Sequence, residues 1–186
     1  MWPWEHLAVG YVAVSLALRL AGRRVDDGVA LVVVLGSQFP DLIDKPLAWS
    51  FAVIPSGSSL DHSILVAVPL SALLVAVSYR RGNTALGVAF ALGYLLHLPG
   101  DVLYGALTLG QPPSWGAILW PVVPKAPGSA PTGLIEETLS YASVYLEFLA
   151  SPAAARYLAL EATILLSALG MWILDGVPGP RPRLPR

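Results

Sequence analysis

The sequence has no cysteine, which excludes disulfides and thiolate metal sites. It is also poor in charge. Charged residues make up 12% of its 186 positions, about half of what a soluble domain carries. The net charge of -1 leaves no basic field for nucleic acid, so nucleic-acid binding is excluded as a function. The first residues, Met1 to His6, lack the basic start that a cleavable signal needs, and no internal repeat is visible. What remains is apolar: 55% hydrophobic residues with a mean hydropathy of +0.66. The 17 prolines and 17 glycines cluster between the apolar runs and in the tail, as loops and broken helices require.

This composition predicts an all-α, polytopic transmembrane bundle of about five spans, forming a single membrane-embedded domain over residues 1–177. The residues from 178 to 186 read as a disordered Pro/Arg tail. The apolar segments run over residues 7–20, 29–36, 63–79, 84–107 and 157–174. A span needs about 20 apolar residues. The last three segments are long enough. The second is short unless it continues past a break at Pro40 toward Ile54. Residues 108–156, rich in proline, form a segment between spans four and five. Within it Leu134, Leu139, Val144 and Phe148 predict a helix over 132–149 that lies on the membrane surface. Trp2, Trp4, Trp115 and Trp120 read as an interfacial belt.

Basic residues set the orientation. Eight arginines follow the first, third and fifth segments, whereas Lys45, Lys125 and Arg156 fall on the other side. The expected topology is a multi-pass cell-membrane protein with its N-terminus outside and its C-terminus cytoplasmic, and its first partner is the lipid bilayer.

That topology has a chemical consequence. The chain has three histidines, His6, His62 and His97, and each stands at a segment end on the outer side, together with Asp41, Asp44, Asp61 and Asp101. His97 and Asp101 are spaced i,i+4, and Asp41 and Asp44 i,i+3 after Pro40, which can open a helix. Imidazole and carboxylate together suit Zn²⁺ and also accept Mn²⁺ or Fe. The alternative for Asp41 and Asp44 is a helix cap, and Asp61 reads as a cap of the third segment. Glu136 and Glu137 read as a solvated face, and Glu161 as either a supporting group or a buried hydrogen-bond partner. A metal with an open position would make hydrolysis the natural chemistry, with Asp44 as general base and a lipid or small ester as substrate. The competing expectations are a non-catalytic metal-binding membrane protein and a metal-ion carrier.

The order of motifs resembles the membrane-bound metal-dependent hydrolases, a family that includes the LexA-regulated inner-membrane hydrolases of bacteria and their archaeal-type relatives. The matching elements are His6-Leu-Ala-Val-Gly10, Pro40-Asp41-Leu-Ile-Asp44, His62-Ser63, His97-Leu-Pro-Gly-Asp101 and Leu119-Trp120-Pro121. The resemblance covers roughly residues 5–121. It implies a phospholipase C-like zinc hydrolase with His6, Asp41, Asp44, His62, His97 and Asp101 as metal ligands. The sequence departs from the family at residues 55–61, Pro-Ser-Gly-Ser-Ser-Leu-Asp, where bacterial members often carry a His-Arg pair. That departure removes a basic group suited to a phosphate.

Overall fold

The computed structural model describes residues 1–126 and 132–180, apart from the side chains of 107–109. Six α-helices follow one another: α1 Pro3–Leu20, α2 Asp27–Trp49, α3 Ile64–Arg80, α4 Thr84–Leu109, α5 Leu134–Leu149 and α6 Ala154–Leu174. A 3-10 turn, Trp115–Ile118, lies between α4 and α5. No strand occurs among the described residues, so the all-helical expectation holds.

The helix starts follow from side-chain capping. Asp26 accepts the Val29 N–H at 2.9 Å and opens α2. Ser63 accepts from Leu65 and opens α3. Ser63, rather than Asp61, is therefore the cap of the third apolar segment. Pro3 at the first helical position and Glu5, which accepts the Trp2 N–H at 2.6 Å, start α1 four residues before the apolar run. This places Glu5 and His6 inside the helix. The expected break at Pro40 does not occur: α2 runs through both Pro40 and Pro46. Each proline removes one backbone donor, and the packing of α2 against its neighbours holds the helix through the gaps.

α4 is the central helix and packs on α1, α2 and α3, while α6 lies along α1. The close approach of α1, α2 and α4 is possible because glycine faces glycine. A Cβ on Gly36 would lie 2.5 Å from the Phe90 carbonyl oxygen, and one on Gly93 would lie 2.9 Å from the Ser37 nitrogen. Next to this crossing sits a core of Tyr11, Val14, Leu18, Val29, Val33 and Ala89. At the far end from the histidines, Asp175 ties α6 to α1, accepting from Arg19 and Ser15 at 2.6 Å each and from Tyr11 at 3.1 Å.

By length and composition two helices can cross a membrane, Thr84–Ala106 within α4 and Ala154–Leu174. α3 is apolar but has 17 residues. α1 and α2 carry ionisable residues inside them, among them Glu5, Asp41, Asp44 and Lys45. Only 6% of the most apolar stretch of α6 is buried inside the protein. The predicted helix over 132–149 is α5, and its Ile135, Leu139, Val144 and Leu146 are exposed. It touches the bundle through aromatic rings: Trp49 stacks on Tyr141 with centroids 5.5 Å apart, and Tyr145 meets Trp2 at 4.5 Å. Of the tail, residues 181–186 lie outside the described residues.

Candidate metal centre

The up-and-down course of α1 to α4 brings the first turns of α1, the last turns of α2 and α4, and the chain just before α3 to one end of the bundle. His6, Asp41, His62, His97 and Asp101 meet there. The atoms of His6, His97 and Asp101, and separately those of Asp41, His62 and His97, lie within 4.8 Å of one another. His97 belongs to both groups. Its Nε2 is 3.2 Å from His62 Nε2, 3.3 Å from Asp101 Oδ2 and 3.9 Å from Asp41 Oδ1. His62 Nε2 is 3.5 Å from both Asp41 Oδ1 and Asp101 Oδ2.

The ring nitrogens facing away from this point fix the chemistry of those facing it. His97 Nδ1 donates to the Ser37 carbonyl at 2.7 Å. A carbonyl oxygen only accepts, so Nδ1 carries the proton and Nε2 of neutral His97 presents a lone pair. His62 Nδ1 meets the Asp44 carboxylate at 2.9 Å, with the same consequence for its Nε2. His6 stacks on His97, with centroids 3.6 Å apart and planes within 7°. Its Nε2 lies 3.0 Å from Asp101 Oδ1 yet makes no aligned hydrogen bond, and so is a buried nitrogen without a partner. Such atoms are costly in a protein interior. Two overlapping three-residue groups, His6–His97–Asp101 and Asp41–His62–His97, thus offer imidazole and carboxylate donors that could hold a divalent cation.

Electrostatics agree with the geometry. Burial pulls the His62 imidazole down, but hydrogen bonds with Asp101, Asp41 and Asp44 outweigh it and hold its pKa up at about 10. Without a cation, His62 therefore keeps a second proton, placed between Nε2 and its neighbours. A cation entering the site replaces that proton, so uptake releases a proton and is favoured by rising pH.

Asp44 does not stand where the sequence reading puts it. It is 0% exposed, and its carboxylate accepts the backbone N–H groups of Asp61 at 3.0 Å and His62 at 3.3 Å besides the His62 ring. It lies behind His62, outside both donor groups, and is fully buried, where a general base would need access to water. The spacing i,i+3 from Asp41 shows a shared helix side but not which of two carboxylates lies nearer the centre. Asp101, with its side chain 32% exposed, is the most open member of the cluster. The N-terminal ammonium of Met1 lies 2.5 Å from its Oδ1.

Several contributors were not singled out from sequence. Lys45 Nζ donates to Asp41 Oδ2 at 2.6 Å and orients the carboxylate, and its i,i+4 spacing was the available signal. The role of Ser37 rests on a backbone carbonyl, for which residue type carries no signal. Ser63 donates to the Trp120 carbonyl at 2.5 Å, which draws the loop after α4 over the site and explains why His62-Ser63 and Leu119-Trp120-Pro121 occur together. Glu161 accepts from Trp4 Nε1 at 2.7 Å and is thus the buried hydrogen-bond partner of the two roles considered. Beside the cluster opens a cavity of about 710 Å³, reached by His62, Asp41 and Asp101 and walled by Leu42, Trp49 and Tyr141.

A family model described as YdjM inner membrane protein matches residues 1–177. No curated protein and no solved structure matches the chain.

Proposed function

The chain belongs to the YdjM inner membrane protein family, and from its His/Asp cluster we propose that it is a membrane-bound, metal-dependent hydrolase. Its site would open at the extracytoplasmic face and cleave an ester or phosphoester. The observation that carries this reading is the buried Nε2 of His6, without a hydrogen bond, in a cluster where His97 is shared by two donor groups, His6–His97–Asp101 and Asp41–His62–His97. These five residues would hold the ion, with zinc favoured by the imidazole-rich set. When bound, such an ion supplies Lewis acidity, which acidifies water and polarises a carbonyl or phosphoryl oxygen.

The chain's own residues supply the rest. Asp44 and the Ser37 carbonyl hold His62 and His97 by their Nδ1–H groups. Lys45 holds Asp41. Asp101, the most exposed member of the cluster, lines the cavity beside it. The Leu42–Trp49–Tyr141 wall offers an apolar surface to a lipid substrate.

The reading includes a five-span topology, α1 to α4 and α6, with the N-terminus outside and α5 on the outer surface. Two features support it. Arg19, Arg80 and Arg81 lie at the helix ends remote from the histidines, on the side expected to be cytoplasmic. The apolar, unburied surface of α6 is suited to lipid and not to water.

Two measurements test the function. Elemental analysis of the purified full chain should find about one divalent ion per molecule, and an esterase and phosphodiesterase panel should give turnover that a chelator abolishes and Zn²⁺ restores. Metal-free protein with undiminished turnover would overturn the proposal. Asp44→Asn should weaken zinc binding by about 10–100-fold although every proposed donor atom stays in place, read by competition with a chromogenic chelator. Unchanged affinity would remove Asp44 from its supporting role.

A further inference from the structure

Against one cavity-lining residue, Ser58, rests a positive charge that the metal centre does not use. The chain has two lysines, Lys45 and Lys125. Lys45 is paired with Asp41. Lys125 follows the loop that the Ser63–Trp120 hydrogen bond draws over the site. There its Nζ donates to Ser58 Oγ at 3.0 Å. Ser58 lines the same cavity as Asp41, His62 and Asp101. Residues 55–61, which contain no basic side chain of their own, thus acquire one from sixty-seven positions away.

Lys125 is half-buried. Burial pulls its ammonium pKa down, and the carboxylates of Asp44 and Asp101 act against that from a distance. Among the described residues its hydrogen-bond partner is a neutral hydroxyl, and an ammonium has three N–H donors. Withdrawing a cation from water without a counter-charge bonded directly to it is costly, and an anion arriving in the cavity would offset that cost. Chemistry narrows the anion. A carboxyl ester offers the cation one neutral carbonyl oxygen. A phosphodiester offers one oxygen to the cation and keeps a second, charged oxygen for another partner.

We infer that Lys125 receives a non-bridging phosphoryl oxygen of the substrate and makes the site selective for phosphoesters over neutral carboxyl esters. This rests on the hydrolase reading above. In the reaction, the oxygen of water forms a bond to phosphorus, the phosphorus–oxygen ester bond breaks, and the leaving alkoxide takes a proton. Water and a phosphodiester thereby become a phosphomonoester and an alcohol. Lys125 forms no bond in this step and acts by holding charge.

Binding and turnover are measured separately on the zinc-loaded full chain, as wild type, Lys125→Met and Lys125→Arg. Inorganic phosphate should bind the wild type in calorimetry, Lys125→Met about tenfold more weakly, and Lys125→Arg within a few-fold. For turnover, Lys125→Met should raise KM about tenfold on a phosphodiester and leave a neutral p-nitrophenyl ester unchanged. A soluble aryl phosphodiester and a phospholipid in mixed micelles form separate arms, and the arm that turns over identifies the source of the phosphoryl group. Phosphate binding to Lys125→Met at wild-type strength, no phosphate binding to the wild type, or an equal loss on the neutral ester would each overturn the inference. If no ester is hydrolysed while phosphate binding still depends on Lys125, the hydrolase reading fails and the anion subsite stands.

Discussion

Replacing His97 with alanine is expected to reduce bound zinc from about one ion per chain to near zero, and with it all turnover. His97 is the residue common to both donor groups, so its loss leaves neither group complete. A change at His6 or Asp41 would leave the other group's contacts standing. The variant needs a control. His97 is 1% exposed and stacks on His6, so alanine also opens a cavity that costs about 2–4 kcal/mol. Asp101→Asn supplies the control, because it removes charge while keeping shape and is already partly open to solvent. It should lose at least about tenfold in zinc affinity without a drop in melting temperature. Zinc retained at full stoichiometry in a folded His97→Ala/Asp101→Asn double variant would show that the donors do not hold the ion.

The cluster is built so that most of its side chains are fixed from behind. Ser37 fixes His97, Asp44 fixes His62, and Lys45 fixes Asp41. His6 stacks on the His97 ring. Supporting groups of this kind set ring tautomer and ligand basicity. They also mean that the site depends on helix positions, since Ser37 and Asp44 lie on α2 while His97 lies on α4 and His62 precedes α3.

This dependence explains what the sequence revealed and what it did not. The histidines could be assigned to one end because hydropathy and arginine placement give helix direction, and direction alone decides which segment ends meet. The helical class followed from low charge and from apolar runs of about the length of a membrane span. Three things could not be read. The continuity of α2 through Pro40 depends on packing that overrides a local breaker. The rank of Asp44 behind Asp41 depends on rotation of α2 about its axis, which a three-residue spacing leaves open. The arrival of Lys125 beside Ser58 depends on a long-range hydrogen bond, Ser63 to Trp120, with no periodic signature. The number of spans lies between these cases, because α1 and α2 place ionisable residues inside helices that are otherwise mostly apolar.

Gly36→Ala should damage the centre although Gly36 donates nothing to it. A Cβ there meets the backbone of Phe90, with the carbonyl oxygen at 2.5 Å and Cα at 3.0 Å. Backbone cannot rotate out of the way as a side chain can, so α2 and α4 must separate. Close crossings of this kind depend on residues without a side chain, and overpacking costs about 1–3 kcal/mol. Ser37 is the next residue, and its carbonyl holds His97 Nδ1 at 2.7 Å, a contact that does not survive a displacement of an ångström. The expected result is therefore a coupled loss: a lower melting temperature together with a zinc affinity at least about tenfold weaker, because a supporting hydrogen bond to a ligand is stretched. Gly170→Ala provides the comparison, since a Cβ at Gly170 meets nothing within 4 Å and should leave both quantities unchanged. A Gly36→Ala protein that melts lower but binds zinc at full strength would separate the helix crossing from the centre, and the rigid coupling of α2 to α4 through Ser37 and His97 would be wrong.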